Sequence, residues 1–347
     1  MKKGILNFTI NEFENELQML EIHKYRASQI FNWIYRFGKT NFAEMTNLRK
    51  DLQSEIERKF YIYRPKIVNV YKSLDGTIKF LLQLDDLNTI ETVFIPEKKR
   101  NTICVSSQVG CNVGCKFCNT GYNGFVRNLT VEEIMSQFLT VKDYLKLWDI
   151  KNDRLSNIVY MGMGEPLFNY ENVLKSITNL MYDEKEGISR RKITLSTSGI
   201  APVIERIAKI IPCRLAISLH APNDVIRSQI MPINNLYNIE KLMNACREYS
   251  KYHKYLKITF EYLLLKGVND SDVCAYELVN LLRNVNAKIN LLQFNSWDGC
   301  SFQASDRVKH FAKILQNAGI ETTIRSRRGK DIMAACGQLS HNSKKHQ

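Results

Sequence analysis

The chain has 347 residues, 44% of them hydrophobic, which excludes general disorder and suits one large domain or one large and one small. Its 49 Lys and Arg against 35 Asp and Glu leave a formal charge of +14, so a polyanionic partner such as nucleic acid competes with the bland reading of a merely solvated surface. No run of 18 apolar residues occurs, the start Met1-Lys2-Lys3-Gly4 has no apolar signal stretch, and nine cysteines are an odd, scattered set; these features argue against a membrane span or a secreted disulfide framework and lead us to expect a cytoplasmic protein with reduced thiols.

Residues 1–65 read as a helical domain. Thr9-Ile10-Asn11-Glu12 fits a capping box ahead of Phe13, Leu17 and Leu20 at helical spacing; Ile30, Ile34 and Phe37 lead to Gly38, and Met45, Leu48, Leu52 and Ile56 form a third stripe. Arg26, Arg36, Arg49, Lys50, Arg58 and Lys59 are left for a basic face, which is ordinarily just solvated but suits the polyanionic partner that the net charge admits. Residues 66–100 change period: Val68 and Val70, the turn Asp75-Gly76, then Ile78, Phe80, Leu82 and Leu84 are a hairpin pattern, expected to link the helical part to the rest of the chain.

From 101 to 325, apolar runs alternate with amphipathic stretches. Strands are expected at 102–106, 157–162, 193–197, 214–219, 258–265 and 289–294, and helices near 130–147, 170–181, 201–210, 239–252, 271–285 and 307–318. Six β-α units predict an α/β fold, a partial (β/α)6 TIM-like barrel, whose chemistry belongs at the carboxyl ends of its strands. A short strand at 322–325 precedes a tail, 326–347, whose end Lys344-Lys345-His346-Gln347 is expected to fray.

The most informative residues are Cys111, Cys115 and Cys118, spaced C-x3-C-x2-C. A cubane iron–sulfur cluster usually takes four thiolates, one per iron, so three leave one iron open to a small chelating molecule. Zinc is the rival, but its closed sites usually pair two separated C-x2-4-C or H-x3-5-H motifs, and no second pair is present. Glu165 between Gly164 and Pro166 is, alone, a turn with a solvated acid; His220 alone is a structural histidine. Cys336 alone reads as a buried tail cysteine and Cys104 as core or a fourth cluster ligand, while Cys213, Cys246, Cys274 and Cys300 read as apolar fillers.

The spacing, with Phe117 before the last cysteine, resembles the radical S-adenosylmethionine (SAM) superfamily. The resemblance widens through Cys104-Val105-Ser106-Ser107-Gln108-Val109-Gly110-Cys111, Gly162-Met163-Gly164-Glu165-Pro166-Leu167, Ser196-Thr197-Ser198-Gly199, Ser218-Leu219-His220 and Ala334-Ala335-Cys336-Gly337-Gln338-Leu339 to the RlmN/Cfr family of RNA methyltransferases, over residues 91 to 339. It implies one [4Fe–4S] cluster on Cys111, Cys115 and Cys118. It also implies a SAM pocket at Gly164, Glu165, Ser196, Ser218, Leu219, His220 and Asn295, and methylation of adenosine in 23S rRNA and tRNA with two SAM consumed. Adenine C2 lies between two ring nitrogens and is too electron-poor for direct attack on a methyl cation equivalent. The family therefore first methylates a cysteine, here matched by Cys336, and then makes a radical from that methyl.

By the same resemblance Cys104 is the resolving thiol that ends in a transient disulfide with Cys336, and Glu91 is the proton acceptor. Arg325, Arg327, Arg328 and Lys330, within eleven residues of Cys336, are expected to lower its pKa and to contact RNA. The resemblance further implies a low-potential, flavodoxin-like electron donor, which the sequence does not identify. The Gly164-Glu165-Pro166-Leu167 and Ser196-Thr197-Ser198-Gly199 motifs look more like members that methylate C2 than those that methylate C8 and confer antibiotic resistance. A non-catalytic, metal-containing RNA-binding protein is the alternative of another class, and another radical SAM activity such as methylthiolation is a third.

Overall fold

The computed structural model describes residues 2–97, 100–148, 155–182, 187–210 and 213–340, so the expected frayed end at 344–347 lies outside the described residues. The amino-terminal unit begins with β1 (Lys3–Gly4), followed by α1 (Ile10–Met19), α2 (Tyr25–Tyr35) and α3 (Lys50–Lys59), and is closed by β2 (Phe60–Tyr61), which pairs in parallel with β1. The capping box forms: Glu12 N donates to Thr9 Oγ1 at 3.3 Å and Thr9 N to the Glu12 carboxylate at 2.7 Å. Phe13 is fully buried between the rings of Phe31 and Phe60, at 5.6 and 5.2 Å.

The third apolar stripe is not one helix. Asn41 caps a 3-10 turn at Phe42–Glu44 and Arg49 is extended, so α3 starts only at Lys50; Met45 and Leu48 are buried from the turns before it. Phe37, expected on the second stripe, lies past the end of α2 and is 47% exposed.

Next come β3 (Lys66–Lys72), β4 (Ile78–Gln83), β5 (Thr89–Glu97), β6 (Arg100–Cys104) and β7 (Gln108–Gly110), then α4 (Asn119–Tyr122), β8 (Phe125–Asn128) and α5 (Val131–Leu145). The alternation continues with β9 (Leu155–Tyr160), α6 (Tyr170–Leu180), β10 (Ile193–Thr197), α7 (Ala201–Ile207), β11 (Arg214–Ser218), α8 (Asp224–Ile230) and α9 (Ile239–Tyr252). It ends with β12 (Ile258–Leu264), α10 (Asp272–Leu282), β13 (Ala287–Gln293), α11 (Val308–Asn317) and β14 (Thr322–Ile324).

A single ten-stranded sheet runs β14-β13-β12-β11-β10-β9-β6-β5-β4-β3. The strands from β6 through β14 in that order are all parallel, the expected α/β arrangement with β14 as a seventh parallel member. Every residue of β12 is buried, as suits a strand covered on both faces. The 66–100 segment is hydrogen-bonded into the same sheet: β3, β4 and β5 extend it antiparallel from β6. A bulge between Ile67 and Asn69 turns Val68 outward, 48% exposed, which the simple alternation did not foresee. Also unforeseen were the small antiparallel pair β7–β8 and the short helix α8, whose start is capped by Asn223 Oδ1 accepting from Ile226 N.

The helical unit docks on α5 and α6. Glu132 N donates to Asn7 Oδ1 at 3.0 Å, Tyr61 Oη to the Glu132 carboxylate at 3.0 Å, and Arg64 pairs with Asp143 at 2.8 Å. Asn179, 4% exposed, donates to the carbonyls of both Phe8 and Leu6. Asn179→Ala removes the donor that these two carbonyls share, and should cost about 1–3 kcal/mol, read as a lowered midpoint in urea denaturation.

Candidate active site

The carboxyl ends of the parallel strands meet at a cavity that is open to solvent. Its walls come from eight separated parts of the chain. The stretch after β6 is pinned by Gln137 of α5: Ser106 N donates to Gln137 Oε1 at 2.8 Å and Gln137 Nε2 returns to Ser106 O at 2.9 Å. Asn169 Nδ2 holds Ser107 O at 2.8 Å. The chain then turns through Gly110, at φ +76°, where a Cβ would come within 2.0 Å of Gly124 O, so only glycine fits the start of the cysteine loop.

Cys111, Cys115 and Cys118 all line the cavity as free thiols. Burial pushes the Cys115 thiol well up, and Cys118 and Cys111 add to the rise, so the three sit within electrostatic reach of one another. Among the described residues no three His, Cys, Asp or Glu are grouped as ligands of one metal ion; a cubane instead takes its thiolates at separate irons.

Opposite this loop, the turn after β9 presses its backbone on the β6–β7 connection. A Cβ on Gly162 would lie 2.7 Å from Val105 C, and one on Gly164, at φ +98°, 2.5 Å from Gln108 Cβ. Gly164, expected in the SAM pocket, thus first admits the protein's own chain. Glu165, 3% exposed, lines the cavity, and both its oxygens accept main-chain hydrogens: Oε1 from Leu167 N at 2.9 Å, Oε2 from Ser198 N at 2.6 Å. Burial raises its pKa while these amides oppose the rise.

Ser196, Ser218 and His220 line the same cavity, whereas Leu219 and Asn295 are buried outside its lining. His220 adopts φ +57° and its Nδ1 accepts from Leu263 N at 3.0 Å, which puts the ring proton on Nε2; burial, then Arg227, pulls its pKa down to about 3, so it is neutral.

Cys336 lines the cavity and is exposed, yet the protein around its sulfur desolvates the thiolate and pushes its pKa up to about 11. This reverses the expected lowering. Of the four basic residues named for it, only Arg325 lines the cavity and pulls the value down, and desolvation outweighs it; Arg327 and Arg328 are half-buried and Lys330 exposed outside that lining. Cys104, at the end of β6, is buried and pushed up to about 12 by desolvation and then by the Cys336 thiol, so the two thiols lie within electrostatic reach of each other although 232 positions apart. Both are free thiols.

Glu91 does not line the cavity. Its Oε1 pairs with Lys79 Nζ at 2.8 Å and its Oε2 accepts from Ser340 N at 2.9 Å. Cys213, Cys246 and Cys274 are buried as expected, while Cys300 is half-buried with its thiol toward Lys116 O at 3.7 Å.

Two residues escaped the sequence reading. Glu261 on β12 lines the cavity, 4% exposed; Asn290 Nδ2 serves Oε1 at 2.9 Å, but Oε2 is buried without a partner. Such an orphaned acceptor at a cavity wall suits a ligand bearing hydroxyl or ammonium donors. Arg227 is fully buried and donates to Ser198 O at 2.6 Å, Ser218 O at 3.2 Å, Leu219 O at 3.1 Å and Asn234 Oδ1 at 2.9 Å. A regular period cannot flag either one, although an arginine in the short apolar run of α8 is a weak signal.

Comparison with known proteins decides the family. Residues 105–278 match the Radical SAM superfamily, and residues 3–62 match the Ribosomal RNA large subunit methyltransferase N-terminal domain. Proteins named dual-specificity RNA methyltransferase RlmN are similar over most of the chain: that of Rhodospirillum rubrum is 48% identical over 92% of this chain and 76% of its own. That of Paracoccus denitrificans is 47% identical over 90% and 82%. The chain belongs to the RlmN family. A crystal structure of a radical SAM methyltransferase from Sphaerobacter thermophilus superposes with a TM-score of 0.91 at 40% identity, covering 98% of this chain and all of that one. Family membership makes this chain a radical SAM methyltransferase with an iron–sulfur cluster and SAM as its cofactors. No helix among the described residues is long and apolar enough to cross a membrane.

Arg227 gives a test of how the cavity is held. Arg227→Ala removes donors from the buried carbonyls of Ser198 and Leu219 and from the half-buried carbonyl of Ser218, and should cost about 3 kcal/mol in urea unfolding. Arg227→Lys should recover only part of that loss, because one ammonium cannot span the guanidinium's contacts.

Proposed function

We propose that this chain methylates C2 of adenosine in 23S rRNA and tRNA through an S-methylcysteine on Cys336. The observation that carries the reading is the convergence of Cys336 with the three-cysteine loop on one cavity, and of Cys104 with Cys336 beside it. A binding module with a structural metal has no use for two further thiols there.

Cys111, Cys115 and Cys118 suit a [4Fe–4S] cluster: three mutually close thiols with no histidine among them. Gly164, Glu165, Ser196, Ser218 and His220 suit SAM, with Leu219 and Asn295 behind the lining, and the orphaned Glu261 oxygen adds an acceptor. When bound, cluster and SAM supply an electrophilic methyl group and, on one-electron reduction, a radical that removes hydrogen.

Cys336 then has two tasks: its thiolate takes up the methyl, and its sulfur holds that carbon while it joins the adenine ring. Its raised pKa means few molecules carry the thiolate at neutral pH, and Arg325 is the group that favours that form. Release falls to Cys104. Its thiolate attacks the Cys336 sulfur; an S–S bond forms as the sulfur–carbon bond breaks, the freed carbon takes a proton to become the product methyl, and the electron invested at the start is given back. Glu91 is the acceptor of the ring proton in this reading, and its engagement by Lys79 and Ser340 means that it acts only once the tail has shifted. Arg325, Arg327, Arg328 and Lys330 serve the RNA backbone.

Incubating the anaerobically reconstituted protein with SAM, a low-potential reductant such as a reduced flavodoxin, and an rRNA fragment should give 2-methyladenosine by nucleoside mass spectrometry. The 8-methyl isomer would move the chain to the C8 branch of the family. Cys336→Ala should abolish methylation of both protein and RNA. Cys104→Ala should instead trap RNA covalently on Cys336, visible as a shifted band in denaturing electrophoresis; free product at the normal rate would refute the resolving role.

A further inference from the structure

The segment from Met333 to Ser340, which carries Cys336, is held at both ends by one ion pair. Lys79 and Glu91 lie on adjacent antiparallel strands: Lys79 pairs with Val93 and Glu91 with Leu81, so the two are diagonal neighbours on one face of β4–β5. On the other face Phe80, Leu82, Ile90 and Thr92 are packed inside. By alternation the Lys79–Glu91 face would meet solvent. It does not: the two side chains are 7% and 8% exposed, 2.8 Å apart, and the tail covers them. Lys79 Nζ donates to Met333 O at 3.1 Å and Glu91 Oε2 accepts from Ser340 N at 2.9 Å. Each half of the pair thus satisfies one end of the same segment.

The turn preceding Lys79 grips the chain just upstream. Asp75 Oδ2 accepts from Gly329 N at 3.0 Å, and Ser73 Oγ donates to Asp331 at 2.6 Å. Between the two ends, Thr120 Oγ1 donates to Leu339 O at 2.7 Å and Gln338 Nε2 to Ser296 O at 2.8 Å.

We propose that the Lys79–Glu91 ion pair is the latch that sets Cys336 against the cavity, which makes Lys79 a positioning residue for the methyl carrier. A buried ion pair is costly to leave half-made, so the paired state favours a docked tail and an undocked tail exposes the pair to water. The inference rests on the reading of Cys336 as carrier. It adds that Glu91, bound in the docked state, is released toward other work only when the same latch opens.

The test uses the full-length, cluster-loaded protein. Lys79→Met should speed hydrogen–deuterium exchange in the peptide covering residues 333–340 at least tenfold while barrel-strand peptides stay unchanged. It should cut methyl occupancy of Cys336 at least tenfold yet leave the iron content and the affinity for SAM within twofold, a split that general unfolding would not produce. Lys79→Arg, which keeps a cation able to reach both partners, should restore methylation. Ser340→Pro, which removes the N–H given to Glu91, should loosen the same peptide more than Ser340→Ala, which loses only the hydroxyl that accepts from Asn123. Unchanged tail exchange and normal Cys336 methylation in Lys79→Met would overturn the latch and leave the carrier reading standing. RNA methylation that persists in Cys336→Ala would remove the carrier reading, and the exchange data would still decide the latch.

Discussion

One fully buried guanidinium holds the cavity floor together. Arg227 reaches from α8 to the carbonyls that follow β10 and β11, and so ties together the two loops that present Ser198 and His220. Parallel strands end with their carbonyls pointing toward the next loop, and loops at that edge need donors that the sheet does not supply. Arginine answers this need because one rigid fork carries five N–H groups. Desolvation pulls its pKa down to about 10, still high enough to keep the charge at neutral pH. The charge then acts at a distance: it helps keep His220 neutral and opposes the rise of the Cys115 thiol.

The same contest between desolvation and charge sets the state of the thiols. Every cysteine at the cavity for which a shift is resolved is driven upward, and burial is the leading cause each time. A local count of basic residues near Cys336 points the other way, because it weighs sequence proximity and ignores where the side chains go. Arg325 is the single exception that reaches the cavity. Thiols held this high carry little thiolate at neutral pH, and the thiolate is the form that oxidants and metals take up.

Much of the architecture was legible. The strands of the parallel sheet were read to within about two residues because their apolar runs are bounded by clear helical stripes, and Thr9 and Glu12 announced their own cap. The three-cysteine loop, Glu165, Ser196, Ser218, His220 and Cys336 were found as motifs, and the structure gathers them at one cavity. What stayed hidden depends on contacts across long separations. The Met45–Ile56 stripe looked like one helix because burial alone imitates a period, while the break lies in the Asn41 cap and the extended Arg49. Glu261 sits in a run of apolar residues, where a lone acid gives no hint of which neighbour it will lack. Lys79 falls at an alternate position of a strand, where lysine is ordinarily solvated, and nothing local shows that a tail 254 residues away will cover it.

That covering strand face explains why the 66–100 segment is part of the sheet rather than a tether. A flexible linker would leave the tail with the cysteine loop, through Asn119, Thr120 and Asn123, and the Ser296 carbonyl to lean on. Ordering a segment costs about 1–2 kcal/mol per residue in backbone entropy, and each hydrogen bond returns about 1 kcal/mol net. The two are of the same order, so a tail with few large apolar anchors stays docked only if bonds arrive from several sides at once. By extending the sheet past β6, the antiparallel strands bring a second rigid wall to the tail and place Cys104, at the end of β6, beside the thiol that the tail delivers. The proposed carrier role of Cys336, with a methyl donor, a radical and a resolving thiol visited in turn, asks for such a balance, firm enough to aim the sulfur and weak enough to let it go.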